Sequence, residues 1–369
     1  MNLSDFDYAL PPERIADAPL AERDASRMLI VDRRARSWED AVFRDLPERL
    51  RGDELLVVNN TRVIPARLFG HRAGVYAAPP GRQGRREFLR ATIEVLLVRR
   101  LAPDRWEALV RPGRKIRTGE RIFFGEGLEA EVVGRGAYGL RELRLVSPGN
   151  LEEAIERVGH VPLPPYIHRA DQPSDRDRYQ TIFARTGAAA AAPTAGLHFT
   201  PKLVERLRER GAELAELTLE VGLGTFQPIH TEKVEEHRIH REPYQIPEET
   251  VAAIALARRE GRPVLAVGTT VVRALEDAAL KFEREHGSHA TDGSGEVLAA
   301  GRGEADIYIY PGHRFRVVDQ MLTNFHLPRS SLLVMVSAFA GRELLLEAYR
   351  HAIEAGYRFY SYGDCMWIR

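Results

Sequence analysis

The stretch Pro193-Thr194-Ala195-Gly196-Leu197-His198-Phe199-Thr200 and the stretch Glu220-Val221-Gly222-Leu223-Gly224-Thr225-Phe226 bracket a segment that reads as one helix and one strand. Thr200 is a good N-cap and Pro201 suits the first helical position. Lys202 to Arg210 puts Leu203, Val204 and Leu207 on one face, and Gly211 stops the helix. Glu213 to Val221 then reads as a strand, with Leu214, Leu217 and Leu219 as its apolar members. In an α/β layer the helix runs antiparallel to the strand that follows it. The loop before the helix and the loop after the strand therefore emerge at one edge of the sheet, the edge where open α/β sheets bind ligands. Two glycine-bearing loops carrying a His, a Glu and three Thr are thus predicted to share one pocket.

Outward from that unit the α/β pattern continues. Met28 to Asp32 and Leu55 to Val58 read as strands, and Leu151 to Val158 as a helix leading into the proline-rich connector Val161 to Tyr166. A helix from Glu248 to Arg259 stops at Gly261 and is followed by the strand Pro263 to Val267. That strand ends in Gly268-Thr269-Thr270 and opens a helix over Val271 to Lys281. Asp306 to Tyr310 and Phe315 to Val318 are predicted strands. Ser330 or Ser331 caps a helix over Leu332 to Ala340, Arg342 to Ala355 is a further helix, and Arg358 to Ser361 is a final strand.

Between Arg67 and Ser147 the texture differs. Ile93 to Val98, Trp106 to Val110, Arg121 to Phe124, Glu129 to Val133 and Leu140 to Val146 are short strand candidates separated by turns such as Arg111-Pro112-Gly113 and Gly125-Glu126-Gly127. Such punctuation, uninterrupted by a helical period, indicates a small barrel. The expected architecture is an α/β domain with an inserted small antiparallel β-barrel: 1–66 and 151–369 form the α/β domain, and 67–150 the barrel. The Gly/Ala/Pro/Arg stretch Ala73 to Arg86 and the polar loop His286 to Gly295 read as exposed excursions.

The 369 residues carry 53 basic and 53 acidic side chains, yet the balance is uneven. Arg67 to Ser147 holds seventeen Arg or Lys against nine Asp or Glu. Two readings fit: a footprint for a nucleic-acid backbone, or a solvated Arg-rich face. The single cysteine, Cys365, excludes an intrachain disulfide and a multi-thiolate metal site. No apolar run approaches a membrane span, so no membrane partner and a cytoplasmic address are expected. No long heptad pattern demands a second copy, and a monomer is expected.

Four strand ends finish in small or polar clusters: Asn59-Asn60-Thr61, Gly222-Leu223-Gly224-Thr225, Gly268-Thr269-Thr270 and Tyr362-Gly363-Asp364. Glycine there lets the backbone approach a ligand, and a helix N-terminus offers free N–H donors, so a nucleotide-like ligand is expected. The fingerprint G-x-G-x-x-G and a Walker A sequence are both absent, which argues against a standard dinucleotide or P-loop enzyme. Glu220 is either a catalytic carboxylate or one bonded to neighbouring loop N–H groups. His198 is either functional or a structural histidine bonded to the backbone. His237 and His240 have a spacing that a metal site could use, but H-E-x-x-H is absent and no metal is expected. Asn324 and His326 form another polar cluster, and Arg62 and Arg273 are candidates for carboxylate or phosphate contacts.

These motifs together resemble one family. Asp24-Ala25-Ser26-Arg27, Val58 to Arg67, Ala192 to Thr200, Glu220 to Phe226, Val267 to Arg273 and Thr323 to Pro328 are similar to the S-adenosylmethionine:tRNA ribosyltransferase-isomerases of queuosine synthesis, across essentially the whole chain. The Ala73 to Arg90 region departs from that pattern in being longer and more basic. The resemblance implies an α/β domain with an inserted barrel. It also implies transfer and isomerisation of the ribosyl group of S-adenosylmethionine onto 7-aminomethyl-7-deazaguanine at the wobble position of tRNA. The products are epoxyqueuosine-tRNA, adenine and methionine. S-adenosylmethionine is then a consumed ribosyl donor, with no recycled cofactor, and tRNA is the partner.

A sulfonium acidifies the adjacent ribose 5′ hydrogens and makes methionine a good leaving group, so a general base and a proton donor for adenine are needed. His198 or Glu220, and after them His237, are the candidates for the base. Thr194, Gly196, Gly222, Gly224, Thr225 and Phe226 are expected to line the nucleoside, and Thr269, Thr270 and Arg273 to hold methionine or a phosphate. Asn60, Arg62, Arg99, Arg100, Arg114, Lys115, Arg117, Asn324 and His326 are the candidate tRNA contacts. Tyr166, Tyr179 and Phe226 are available for base stacking, although each also suits a core. The competing readings are an RNA methyltransferase using the same cofactor, a non-catalytic RNA-binding protein, and a metal-dependent hydrolase.

Overall fold

The computed structural model describes residues 1–74, 89, 91–136, 139–222, 229, 231–287 and 295–369. Strands β1 (Arg27–Asp32), β2 (Ser37–Val42), β3 (Leu55–Asn59) and the short β4 (Thr61–Val63) come first, with one helical turn α1 (Leu46–Arg49) between β2 and β3. Then follow β5 (Arg67–Arg72), β6 (Thr92–Ala102), β7 (Arg105–Arg111), β8 (Arg121–Gly125), β9 (Leu128–Arg135) and β10 (Arg141–Val146). After them come α2 (Leu151–Val158), α3 (Asp175–Arg178), β11 (Thr186–Ala189), α4 (Pro201–Glu209), β12 (Glu213–Leu219) and β13 (Glu242–Ile246). The chain ends with α5 (Glu248–Arg259), β14 (Val264–Val267), α6 (Thr269–His286), β15 (Gly301–Ala305), β16 (Gln320–Asn324), α7 (Ser331–Ala340), α8 (Arg342–Glu354) and β17 (Cys365–Ile368).

Nine strands form one mixed sheet in the order β15-β13-β12-β3-β14-β16-β17-β1-β2. Its centre, β12-β3-β14-β16, is parallel. β17 pairs antiparallel with β16, and β1 runs parallel to β17. The carboxyl ends of four central strands and the amino ends of β17 and β1 therefore lie along one edge. Both faces are covered, which is why β3 and β14 are buried throughout and read as continuous apolar runs. On α4, the Thr200 hydroxyl accepts the Leu203 N–H, and Leu203, Val204 and Leu207 are buried against the sheet.

β10-β7-β6-β5-β8-β9 close into an antiparallel barrel. Its strands alternate between buried and outward residues, and Leu68, Val95, Trp106, Ala108, Ile122, Ala130, Val132 and Leu143 fill the interior. β5, unmarked in the sequence reading, closes it. Gly70 permits that closure, because a Cβ there would lie 2.4 Å from the Phe123 carbonyl oxygen.

Three expected strands do not form, and two buried carboxylates explain most of the difference. Around Phe315 to Val318, Glu276 on α6 accepts the N–H groups of Arg316 (2.8 Å), Val317 (3.0 Å) and Val318 (3.0 Å), so the segment has no need of a ladder. The sheet strand is the next segment, β16. Around Arg358 to Ser361, Asp364 accepts the Arg358 N–H at 2.8 Å and the Arg27 N–H at 2.9 Å, folding a turn ahead of β17. In place of Asp306 to Tyr310, the preceding β15 joins the edge. Its Gly303 lies under the Tyr244 ring, where a Cβ would meet the ring at 2.4 Å.

Candidate functional site

The aligned strand ends surround a pocket. Thr194 and Ala195 line it from the loop before α4, Val221 from the loop after β12, and Gly268, Thr269 and Thr270 from the β14–α6 junction. Thr323, Asn324 and His326 line it after β16, with Ser330, Tyr166, Tyr360 and Ser361 completing the wall. Gly268 has φ +97°, a left-handed backbone that glycine adopts freely, and it aims the first turn of the 18-residue α6 at the pocket. Asn59 ties the edge together. Its Nδ2 donates to the Leu219 carbonyl (3.0 Å) and Thr270 Oγ1 (3.3 Å), and its Oδ1 accepts from the Thr61 and Leu219 N–H groups. Tyr166 and Tyr360 rings stand 4.5 Å apart, and the Tyr166 hydroxyl bonds Ser361 Oγ.

His198 lies behind this wall, 3% exposed. Its Nδ1 is 2.9 Å from Ser26 Oγ and its Nε2 is 3.2 Å from Asn324 Nδ2. Burial, with Arg23 and Arg358 nearby, lowers its pKa to about 3. His326 bonds Thr323 Oγ1 through Nε2 at 2.8 Å, and burial lowers it likewise to about 3.

Glu220 is half-buried, and burial raises its carboxyl pKa against the opposing Ala188 N–H and Arg100. Gly187 packs closely beside it: a Cβ there would stand 3.5 Å from Glu220 Cγ and 2.9 Å from Thr61 Oγ1. His237 sits apart on a turn, its ring edge-on to Tyr308 at 5.0 Å.

Arg273 is 4% exposed and forms an ion pair with Glu242, while its Nη2 donates to the His240 (3.0 Å) and Ala305 (2.9 Å) carbonyls. Glu242 also accepts the Gly222 N–H at 3.0 Å, so this pair braces the loop after β12. Gly196 packs against Thr181, where a Cβ would lie 2.9 Å from Cγ2. Gly224, Thr225 and Phe226 lie outside the described residues, as does most of Ala73 to Arg90 and of the 286–295 loop.

The candidate RNA contacts divide between two places. Asn60 bonds Glu216 (3.1 Å) and Thr218 (2.6 Å) near the sheet edge. Arg62 and Arg100 wall a groove between barrel and α2, with Ile64, Trp106, Gly187 and Ala188 in its lining. Arg62 pairs with Glu156, and Arg100 with Glu152 at 2.8 Å. Arg99 reaches Glu107 at 2.8 Å and Glu304 of β15 at 3.6 Å. Arg114 and Arg117 are exposed in the loop after β7, at the opposite end of the barrel, where Arg111 pairs in register with Glu94. The Lys115 side chain lies outside the described residues.

Sequence reasoning missed Ser26, Thr323, Ser330, Tyr360 and Ser361 as parts of this neighbourhood. Four of these had a signal: Ser26 lies in the Asp24 to Arg27 motif, Thr323 opens the Thr323 to Pro328 motif, and Tyr360 and Ser361 directly precede the polar cluster Tyr362-Gly363-Asp364. Tyr360 has φ +72°, a strained backbone for a tyrosine, and it was hidden inside an expected strand.

Residues 3–368 match the family described as queuosine biosynthesis protein. The chain is 57% identical to an S-adenosylmethionine:tRNA ribosyltransferase-isomerase of Solibacter usitatus and 49% identical to one of Moorella thermoacetica, each over the full length of both chains. The crystal structure of an S-adenosylmethionine tRNA ribosyltransferase from Thermotoga maritima is similar at 36% identity, with a TM-score of 0.53, covering 99% of this chain and 100% of that one. A sheet-edge pocket, an inserted barrel and end-to-end similarity thus lead to one assignment: the chain belongs to the queuosine biosynthesis protein family.

Proposed function

We propose that the chain is an S-adenosylmethionine:tRNA ribosyltransferase-isomerase. It transfers and isomerises the ribosyl group of S-adenosylmethionine onto 7-aminomethyl-7-deazaguanine at the tRNA wobble position. Epoxyqueuosine-tRNA forms, and adenine and methionine leave. The observation that carries this reading is the pocket at the carboxyl ends of the parallel strands, in a chain similar over its whole length to enzymes of that name.

In this reading the pocket holds S-adenosylmethionine, which is consumed. Thr269 and Thr270, at the amino end of α6, hold the methionine carboxylate, because a helix N-terminus favours an anion. Arg273 acts indirectly, since Glu242 already neutralises it. Thr194, Val221 and Tyr166 enclose the nucleoside. Glu220 is the general base for the acidified 5′ carbon. Partial burial raises its proton affinity toward the range a general base needs.

The groove walled by Arg62 and Arg100 takes the RNA backbone and leads the anticodon past Gly187 toward Glu220. Arg114 and Arg117 contact phosphates farther along. The enzyme acts in the cytoplasm as a monomer. Among the described residues no helix is long and apolar enough to cross a membrane.

The test is incubation of the protein with S-adenosylmethionine and tRNA carrying the deazaguanine base, with mass analysis of the nucleoside and small products. Adenine plus methionine is expected. S-adenosylhomocysteine would mean methylation and overturn the proposal, and so would the absence of turnover on bound tRNA.

A further inference from the structure

Asn324 ends β16, lines the pocket, and is 2% exposed. Its Nδ2 donates toward the Tyr360 carbonyl (3.1 Å) and the Asp364 carbonyl (3.4 Å) and faces His198 Nε2 at 3.2 Å. Two carbonyls fix which way the amide is turned, because the flipped carboxamide would set Oδ1 against both. The oxygen consequently faces away from them. It is buried and has no hydrogen-bond partner among the described residues. Buried acceptors are ordinarily paired, so one left unpaired on a residue that lines a pocket is suited to a donor that arrives with the ligand.

The same geometry decides the state of His198. Facing an N–H donor, Nε2 must carry the lone pair, so the proton resides on Nδ1 and is donated to Ser26 Oγ. Ser26 Oγ in turn donates to the Arg23 carbonyl at 3.3 Å. The ring also packs against Phe43 at 5.2 Å. A proton added at Nε2 would confront the Asn324 amide, and both ring nitrogens are already engaged.

We infer that Asn324 Oδ1 accepts a hydrogen bond from the nucleoside part of S-adenosylmethionine, and that His198, held by Ser26, is a positioning residue for that oxygen rather than a proton carrier. The donor is an N–H or O–H of the ligand: the 6-amino group of adenine or a ribose hydroxyl. The inference rests on the reading of this pocket as the S-adenosylmethionine site. It moves Asn324 from the tRNA contacts expected from sequence to the donor-nucleoside site.

The first test uses the wild-type protein with S-adenosylmethionine, its N6,N6-dimethyl analogue, and its 2′-deoxy and 3′-deoxy analogues, with binding measured by calorimetry. One analogue is expected to bind roughly 10- to 100-fold more weakly, the range for a buried acceptor left unpaired. That analogue identifies the donor. Undiminished binding of all three overturns the inference. Absence of binding by S-adenosylmethionine itself instead overturns the underlying assignment of the pocket.

The second test uses variants. Asn324→Ala is expected to raise KM for S-adenosylmethionine by a similar factor with a much smaller change in kcat, and to abolish discrimination against the identified analogue. His198→Phe, which removes the acceptor, is expected to raise KM, and His198→Gln, which restores an acceptor near the Nε2 position, to recover it. The pH profile of kcat should keep its shape in both. A kcat loss in His198→Gln as large as in His198→Phe, with an altered pH profile, would show that the ring moves a proton and overturn the positioning role.

Discussion

Arg273 and Arg100 are each bound to a glutamate, yet one side chain is 4% exposed beneath the pocket edge and the other 35% exposed on the barrel. The buried pair has lost its water and is held by two backbone carbonyls besides Glu242. Removing either partner would leave an uncompensated charge in a low dielectric. The barrel pairs, such as Arg105 with Glu142 and Arg144 with Glu131, remain solvated and contribute little to stability. A solvated pair can exchange its carboxylate for a phosphate at small cost, and a buried one cannot. The pocket edge is therefore a fixed template, and the barrel face a surface whose partners are replaceable.

The sharpest way to break this contrast lies at the template. Glu220→Gln is expected to lower kcat roughly 10²- to 10⁴-fold while S-adenosylmethionine still binds, as rapid-quench turnover and calorimetry would report. Because burial raises the Glu220 pKa, wild-type kcat/KM should rise with pH through an acid limb above the ordinary glutamate value of 4.5, and the variant should lack that limb. A variant with near-normal turnover would remove Glu220 from proton transfer. Arg273→Met comes next, with an expected loss of about 3–5 kcal/mol in denaturant unfolding, against about 0–1 kcal/mol for Arg105→Met on the barrel. Equal losses would erase the distinction between the two regions.

Acid should expose the same difference. His198 and His326 are neutral in the fold, with pKa values lowered to about 3 from 6.5. Between those values the unfolded chain binds more protons, so their stabilisation is complete above about pH 6.5 and declines as pH falls. Each contributes a slope of up to about 1.4 kcal/mol per pH unit, and His198→Gln should remove one such slope from the unfolding free energy measured across pH 4–6. An unchanged slope would place the histidine in contact with water.

The smallest expected effect concerns the groove beside the barrel. Arg62→Gln and Arg100→Gln should each weaken tRNA binding and reduce the log–log salt slope by about 0.7–0.9, while unfolding stability changes by no more than about 1 kcal/mol. An unaltered salt slope would return the barrel to the reading of a solvated Arg-rich face.

Much of this was legible before the structure. Thr200, Pro201 and Gly211 punctuate α4 through local chemistry, and the one-in-two alternation of β6, β7 and β9 announces a sheet with a buried side. The segments around Phe315 and Arg358 misread because Glu276 and Asp364 satisfy backbone N–H groups there. Glu276 reaches its segment from 40 positions away and Asp364 folds its own back from six, and neither acceptor shows in a strand's alternation. β15 was overlooked because a glycine-rich Gly301–Ala305 has low intrinsic strand preference, and Tyr244 across the pair is what requires Gly303.

Local chemistry along the chain sets the strand-end clusters, the barrel between two parts of an α/β domain, and the residue types gathered at one sheet edge. Periodicity, capping and glycine placement act over a few residues and survive in one dimension. What each polar group at that edge does depends instead on how distant segments pack. Ser26 and Asn324 stand 172 and 126 positions from His198, and their contact determines its tautomer, its charge and the open oxygen beside it. Arg273 on α6 likewise became a brace when Glu242 met it from β13. Protonation and hydrogen-bond state depend on burial and on the partner opposite, and both are settled only when distant segments pack.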